Sequence, residues 1–188
     1  MKPGVRALGV AESFRGERST IGGAVVTAAR VTDGFGFQDC TVGGTDATDA
    51  IGRLYSALDR EDVQYVLIAG VALAWYNVLD LRALYSQVDR PVIAVTFEAS
   101  EGLAAALREE FEGDALDRRL EAYHALPDRE PVTVNGETVY VRWVGIDEPE
   151  ARRVVQAYTP TGGRPEPVRV ARQAARAADE YVAEIDET

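Results

Sequence analysis

The chain has 188 residues, 46% of them hydrophobic, which is enough for a buried core and too many for a disordered segment. No apolar run approaches the roughly 20 residues that cross a bilayer, and Met1–Arg6 lacks a secretory pattern, so a soluble cytoplasmic domain over 1–188 is expected. The 31 acids outnumber the 20 bases, and Lys2 is the sole lysine; an acid excess of this kind fits a high-salt cytoplasm, where screening makes self-repulsion tolerable. A low isoelectric point therefore does not argue against nucleic acid as a partner.

In chain order, Val5–Ala11 reads as a first strand, followed by a polar turn over Glu12–Ser19. Ile21–Val31 is a β-branched second strand, and Phe35–Val42 follows the turn dipeptide Asp33-Gly34 as the third strand of a meander. The period then changes. Ile51, Leu54, Tyr55 and Leu58 share one helical face, entered through Thr45-Asp46. Val63–Gly70 and Pro91–Phe97 are short apolar runs of the kind buried on both faces of a parallel sheet. Between them Leu79–Val88 is helical, and after them Ser100 is expected to cap a helix carrying Leu103, Leu107 and Phe111. Asp114–Ala125 reads as a further helix. Asn135-Gly136 marks a hairpin between Val132–Val134 and Thr138–Val144. Asp147 and Glu150 form a capping box for a helix through Tyr158; Thr159–Gly163 is a flexible break before a last helix over Pro167–Glu184. This order predicts one α/β domain, a mixed sheet flanked by helices.

Few residues carry obvious chemistry. There is no phosphate-binding glycine loop, dinucleotide fingerprint or nucleophile elbow. Cys40 and His124 are each the only residue of their type, which excludes a structural zinc site and a histidine cage. Carboxylates at strand ends are the better candidates, because ligands of open α/β sheets bind there. Glu12, Glu98, Asp46 and Asp49 qualify; converging, they would hold Mg²⁺ or Mn²⁺ and activate water against a phosphodiester. As structural residues, Asp46 and Asp49 simply suit a helix N-terminus.

Charge distribution adds a separate signal. Residues 151–178 hold six arginines and one acid, against a total of −11. Arg169, Arg172 and Arg176 share one face of the last helix, and with Arg164 they suit phosphates or, alternatively, ion pairs with the acidic remainder.

The segments VGGTDAT (Val42–Thr48), AGVALAWYNVLDL (Ala69–Leu81), RPVIAV (Arg90–Val95) and RPEPVRVA (Arg164–Ala171), with Val10–Phe14, resemble in order and spacing the archaeal endonuclease-dU family. That resemblance implies a ribonuclease-H-like fold related to endonuclease V, and metal-dependent incision of DNA near deaminated bases such as uracil. Family members similar to endonuclease V carry an Asp-Asp pair after the first strand and an Asp-Gly after the fourth. This chain has Ala11-Glu12 and Ala69-Gly70 there, and Gly43 where a further Asp is expected. Two readings follow. One is an endonuclease with Glu12 as catalytic residue, Glu12 and Asp46 as metal ligands, and Arg164, Arg169, Arg172 and Arg176 on DNA. The other is a catalytically degenerate member that binds nucleic acid or acts as a scaffold.

Overall fold

Three antiparallel strands open the chain: β1 (Arg6–Arg15), β2 (Arg18–Thr27) and β3 (Thr32–Thr41). The computed structural model describes residues 1–97, 99 and 102–186; the candidate acid Glu98 and the expected cap Ser100 lie outside them. The polar segment Glu12–Ser19 is not a turn. Glu12 pairs with Ile21 and Ser13 with Thr20, and the reversal is confined to Gly16-Glu17, with Gly16 at φ 59°. The strand survives its polar residues because they find partners: Ser13 Oγ and Arg15 Nε each donate to Asp179 at 3.1 Å.

After β3 the chain alternates. Helix α1 (Ala47–Leu58) leads to β4 (Val63–Ala69), and a small hairpin, β5 (Ala72–Leu73) and β6 (Asn77–Val78), precedes α2 (Leu81–Val88). Strand β7 (Val92–Thr96) is followed by α3 (Ala104–Glu110) and α4 (Gly113–His124). The expected hairpin forms as β8 (Glu130–Val134) and β9 (Glu137–Val144), with Asn135 and Gly136 both at positive φ as its tight turn requires. Helices α5 (Glu148–Tyr158) and α6 (Glu166–Asp186) follow. The sheet order is β3-β2-β1-β4-β7-β9-β8, with β4 parallel to β1 and β7, and the other neighbours antiparallel.

Strand alternation assigns the two faces. Leu8 and Val10 of β1 join Ile51, Leu54 and Leu84 in a core beneath α1 and α2. On the opposite face, Ala7, Leu67 and Ile93 meet Val154, Tyr158 and Val168 from α5 and α6. Helix α6 lies almost on the backbone of the first two strands. A Cβ at Gly9 would collide with the Pro167 main chain, and one at Gly22 would lie 2.8 Å from the Ala171 carbonyl oxygen.

Two local expectations are corrected. Asp147 caps α5 by accepting from the Glu150 N–H at 2.9 Å, but the Glu150 carboxylate takes a 2.8 Å bond from Tyr65 Oη instead of closing a capping box. The segment 159–163 is tied down: Asn135 Nδ2 donates to the carbonyls of Thr159 and Gly162, both at 2.9 Å.

Candidate functional site

A cleft of about 300 Å³ opens at the carboxyl ends of β4 and β7. Ala69–Ala72 and Val95–Phe97 form its floor, and Val168 of α6 closes one side. Its polar lining is cationic. Arg129, Arg142, Arg164 and Arg172 reach it from four separate segments, and no described acid lines it. Aromatic rings hold three of these side chains: Arg164 lies 4.5 Å from the Phe97 ring centre, Arg129 4.4 Å from Tyr140, and Arg142 5.6 Å from Tyr123. Burial draws the Arg142 guanidinium below its ordinary value, and its Nη1 also donates to the Pro127 carbonyl. It remains a cation at any working pH.

Of the four arginines expected to meet nucleic acid, Arg164 and Arg172 line the cleft. Arg169 is closed on Glu166 in a bidentate pair at 2.6 and 2.7 Å, and Arg176 lies exposed further along α6. Arg129, Arg142 and their aromatic partners were not anticipated. The signal for Arg142 was present in the alternation of β9, where Val139 and Val141 are buried and Arg142 takes the other face. It could be used only once β9 was known to pair with β7.

The two candidate metal ligands sit on the α1 face of the sheet. Glu12 is half-buried near the carboxyl end of β1 and accepts from Ser19 Oγ at 3.1 Å and from the Ala74 N–H. Burial pushes its pKa up; the Ser19 bond, the Arg172 charge and the Ala74 N–H offset this only in part. Asp46 occupies the N-cap of α1 but does not cap it. Its carboxylate turns back to accept from the Thr41 N–H at 3.1 Å, Thr41 Oγ1 at 3.0 Å and Asn77 Nδ2 at 2.8 Å. Burial opposes its ionisation, yet these bonds prevail and hold it below the ordinary value. Cys40, buried and within the fields of Asp46 and Glu12, has its thiol pushed up to about 11 and stays protonated.

This donor set does not fit a divalent metal. Mg²⁺ and Mn²⁺ need several accessible carboxylate oxygens. Here one carboxylate is half-buried and bonded to Ser19, and the other is saturated by three donors. Among the described residues no group of three or more His, Cys, Asp or Glu is placed to hold an ion. The positions expected to be acidic are adjacent but apolar. Ala11 and Ala69 lie on neighbouring strands and pack with Ala24, Val26 and Ala171 under α6.

Beside Glu12, the β5–β6 hairpin turns through Ala74, Trp75 and Tyr76, with φ of 44°, 57° and 62°. Three successive side-chain-bearing residues in the left-handed region cost about 1–2 kcal/mol each. The buried Asn77 braces this turn, donating to the Thr41 carbonyl at 3.0 Å and to Asp46, and accepting from the Ala47 N–H.

Comparison with known proteins agrees with this architecture. A UPF0215 protein of Pyrobaculum calidifontis is 34% identical over 179 residues, 93% of this chain and 97% of its own. The crystal structure of a protein of unknown function from Archaeoglobus fulgidus superposes with a TM-score of 0.80 at 24% identity, over 92% of this chain and 97% of that one. Ciona intestinalis endonuclease V, crystallised with a 24mer DNA containing an inosine followed by a ribo-adenosine, gives a TM-score of 0.66 at 11% identity, over 94% and 86%. The fold is thus the ribonuclease-H-like fold of endonuclease V. The Endonuclease dU family model matches residues 3–179, and the chain belongs to that family.

Proposed function

We propose that this protein acts on DNA by receiving a phosphodiester strand in the arginine-lined cleft. The observation that carries this reading is the convergence of four guanidinium groups on a cleft that no acid among the described residues lines, in a chain of net charge −11. Guanidinium groups suit phosphate oxygens because their planar donors bind in pairs, and the stacked aromatic rings pre-orient them. DNA is the favoured nucleic acid because an endonuclease V of the same fold was crystallised with it. The described residues support binding better than incision, since they lack a donor set for Mg²⁺ or Mn²⁺.

Incision near deaminated bases is the second reading. It is favoured by the family match and by Glu12, which stays close enough to the cleft to feel the charge of Arg172. One experiment addresses both. DNA containing uracil, hypoxanthine or neither is tested for retention at reduced salt, and for incision with Mg²⁺ or Mn²⁺ at molar KCl. Retention that falls sharply in Arg164→Glu with Arg172→Glu, without incision, supports the binding reading; phosphate contacts weaken steeply with salt, so the difference shrinks as salt rises. Metal-dependent incision abolished by Glu12→Gln establishes the nuclease instead. Retention unchanged in the double variant removes the arginine cleft as the DNA site.

A further inference from the structure

We infer that Trp75 is a stacking platform for a nucleobase of the strand bound in the adjacent cleft. This rests on the DNA-binding reading and adds to it the class of group recognised beside the phosphates. Trp75 is 45% exposed at the tip of the β5–β6 hairpin, so much of its surface stays open to a ligand. Its ring is nonetheless fixed. The Phe111 ring centre lies 5.4 Å away and that of Tyr76 5.8 Å away, while Tyr76 and Phe111 meet edge-on at 5.9 Å. Arg119 lies 3.9 Å from the Phe111 ring centre and donates to the Gly43 carbonyl.

The backbone is shaped for this ring. Gly43 has φ 66°, and a Cβ there would stand 3.0 Å from the indole; its N–H donates to the Ala74 carbonyl at 2.7 Å. Trp75 itself is held in a left-handed conformation that a ring-bearing residue rarely adopts. Strain of this kind persists where surrounding contacts impose it, and it clusters at binding sites. The hairpin also ties the ring to the cleft. Residues 70–72, which lead into it, line the cleft, and Ala74 donates to Glu12. The exposed indole stands three residues beyond Ala72 of the cleft lining, and on it we place a base of a strand whose phosphates lie on Arg164 and Arg172. Stacking on such a ring is tolerant of sequence, because every base has a flat face.

The test uses Trp143→Phe protein, which leaves Trp75 as the sole tryptophan. Its fluorescence is followed while oligothymidylate, or a backbone of the same length made of abasic sites, is added. Oligothymidylate is expected to quench the signal and the abasic strand to leave it nearly unchanged. Trp75→Asn, which removes the ring and tolerates the left-handed backbone, should weaken oligothymidylate binding by about 5- to 150-fold, while Trp75→Phe should retain most of it. Oligothymidylate binding that depends on Arg172 but is indifferent to Trp75→Asn, or equal quenching by the abasic strand, overturns the platform and leaves the DNA reading intact. No binding of either strand overturns both.

Discussion

The two faces of the sheet meet the same carboxyl edge and treat it differently. On the α1 face the edge is polar and closed: Glu12, Ser19, Asp46, Thr41 and Asn77 bond to one another and to the β5–β6 hairpin. On the α6 face the edge is apolar at its centre, where Ala11 and Ala69 meet Ala171, and cationic at its rim, where Arg164 and Arg172 stand. Among the described residues, acids thus persist where they hold the backbone and do not line the cleft. On a ribonuclease-H-like sheet, the described part of this cleft is lined by guanidinium groups.

The strongest way to break this contrast is to place a charge at its apolar centre. Ala11 is 1% exposed, so Ala11→Asp should lose about 3–5 kcal/mol of stability, read from urea denaturation midpoints. Ala69→Asp, half-buried and facing the arginine-rimmed cleft, should lose clearly less. If Ala11→Asp is as stable as the parent and Mn²⁺ stabilises it further, the α6 face is an open metal site and the contrast fails.

A smaller effect is expected on the polar side. Asn77→Ala leaves the Thr41 carbonyl and the Ala47 N–H without their partner and should cost about 2–3 kcal/mol by the same measurement. A loss below about 0.5 kcal/mol would mean that water replaces this network readily, as at ordinary surface positions.

The smallest effect separates the Glu12 carboxylate from its neighbours by pH. Its folded-state pKa lies above the ordinary 4.5, so the folded protein holds this proton more tightly than the unfolded chain does. Stability from this group is therefore full below pH 4.5 and is lost as pH rises through the raised value. Glu12→Gln should melt at a higher temperature than the parent at pH 7, and this advantage should vanish below pH 4.5. A variant that is less stable at pH 7 would show that the ionised carboxylate is needed for structure.

Much of the architecture was legible in the residues. The meander, the buried parallel strands and the Asn135-Gly136 turn each follow from a local pattern that tertiary packing reinforces. The length of β1 was not legible, because Glu12, Ser13 and Arg15 are polar and their partners lie on the distant α6 and across the hairpin. The β5–β6 hairpin was hidden for another reason: Ala74-Trp75-Tyr76 contains none of the glycines or asparagines that announce a left-handed turn. Glu12 and Asp46 were identifiable as acids near strand ends, but only the folded chain shows Asp46 consumed by Thr41 and Asn77. The cleft could not be read from spacing, since Arg129, Arg142, Arg164 and Arg172 converge from segments with no common periodicity.

The contact of Gly9 and Gly22 with α6 bears on how the protein is made. The first hairpin leaves the ribosome long before the helix that must cover it. At about 5–20 residues per second, several seconds or more separate the synthesis of Gly9 from that of Pro167. Throughout that interval Gly9 and Gly22 of the nascent β1–β2 ribbon present only hydrogen where Pro167, Ala171 and Ala175 will later rest. These two positions offer nothing to stray hydrophobic partners while the helix is still unmade. The same narrow seat accepts α6 in a single register when it arrives, so this side of the core closes only once residues 167–175 have been made.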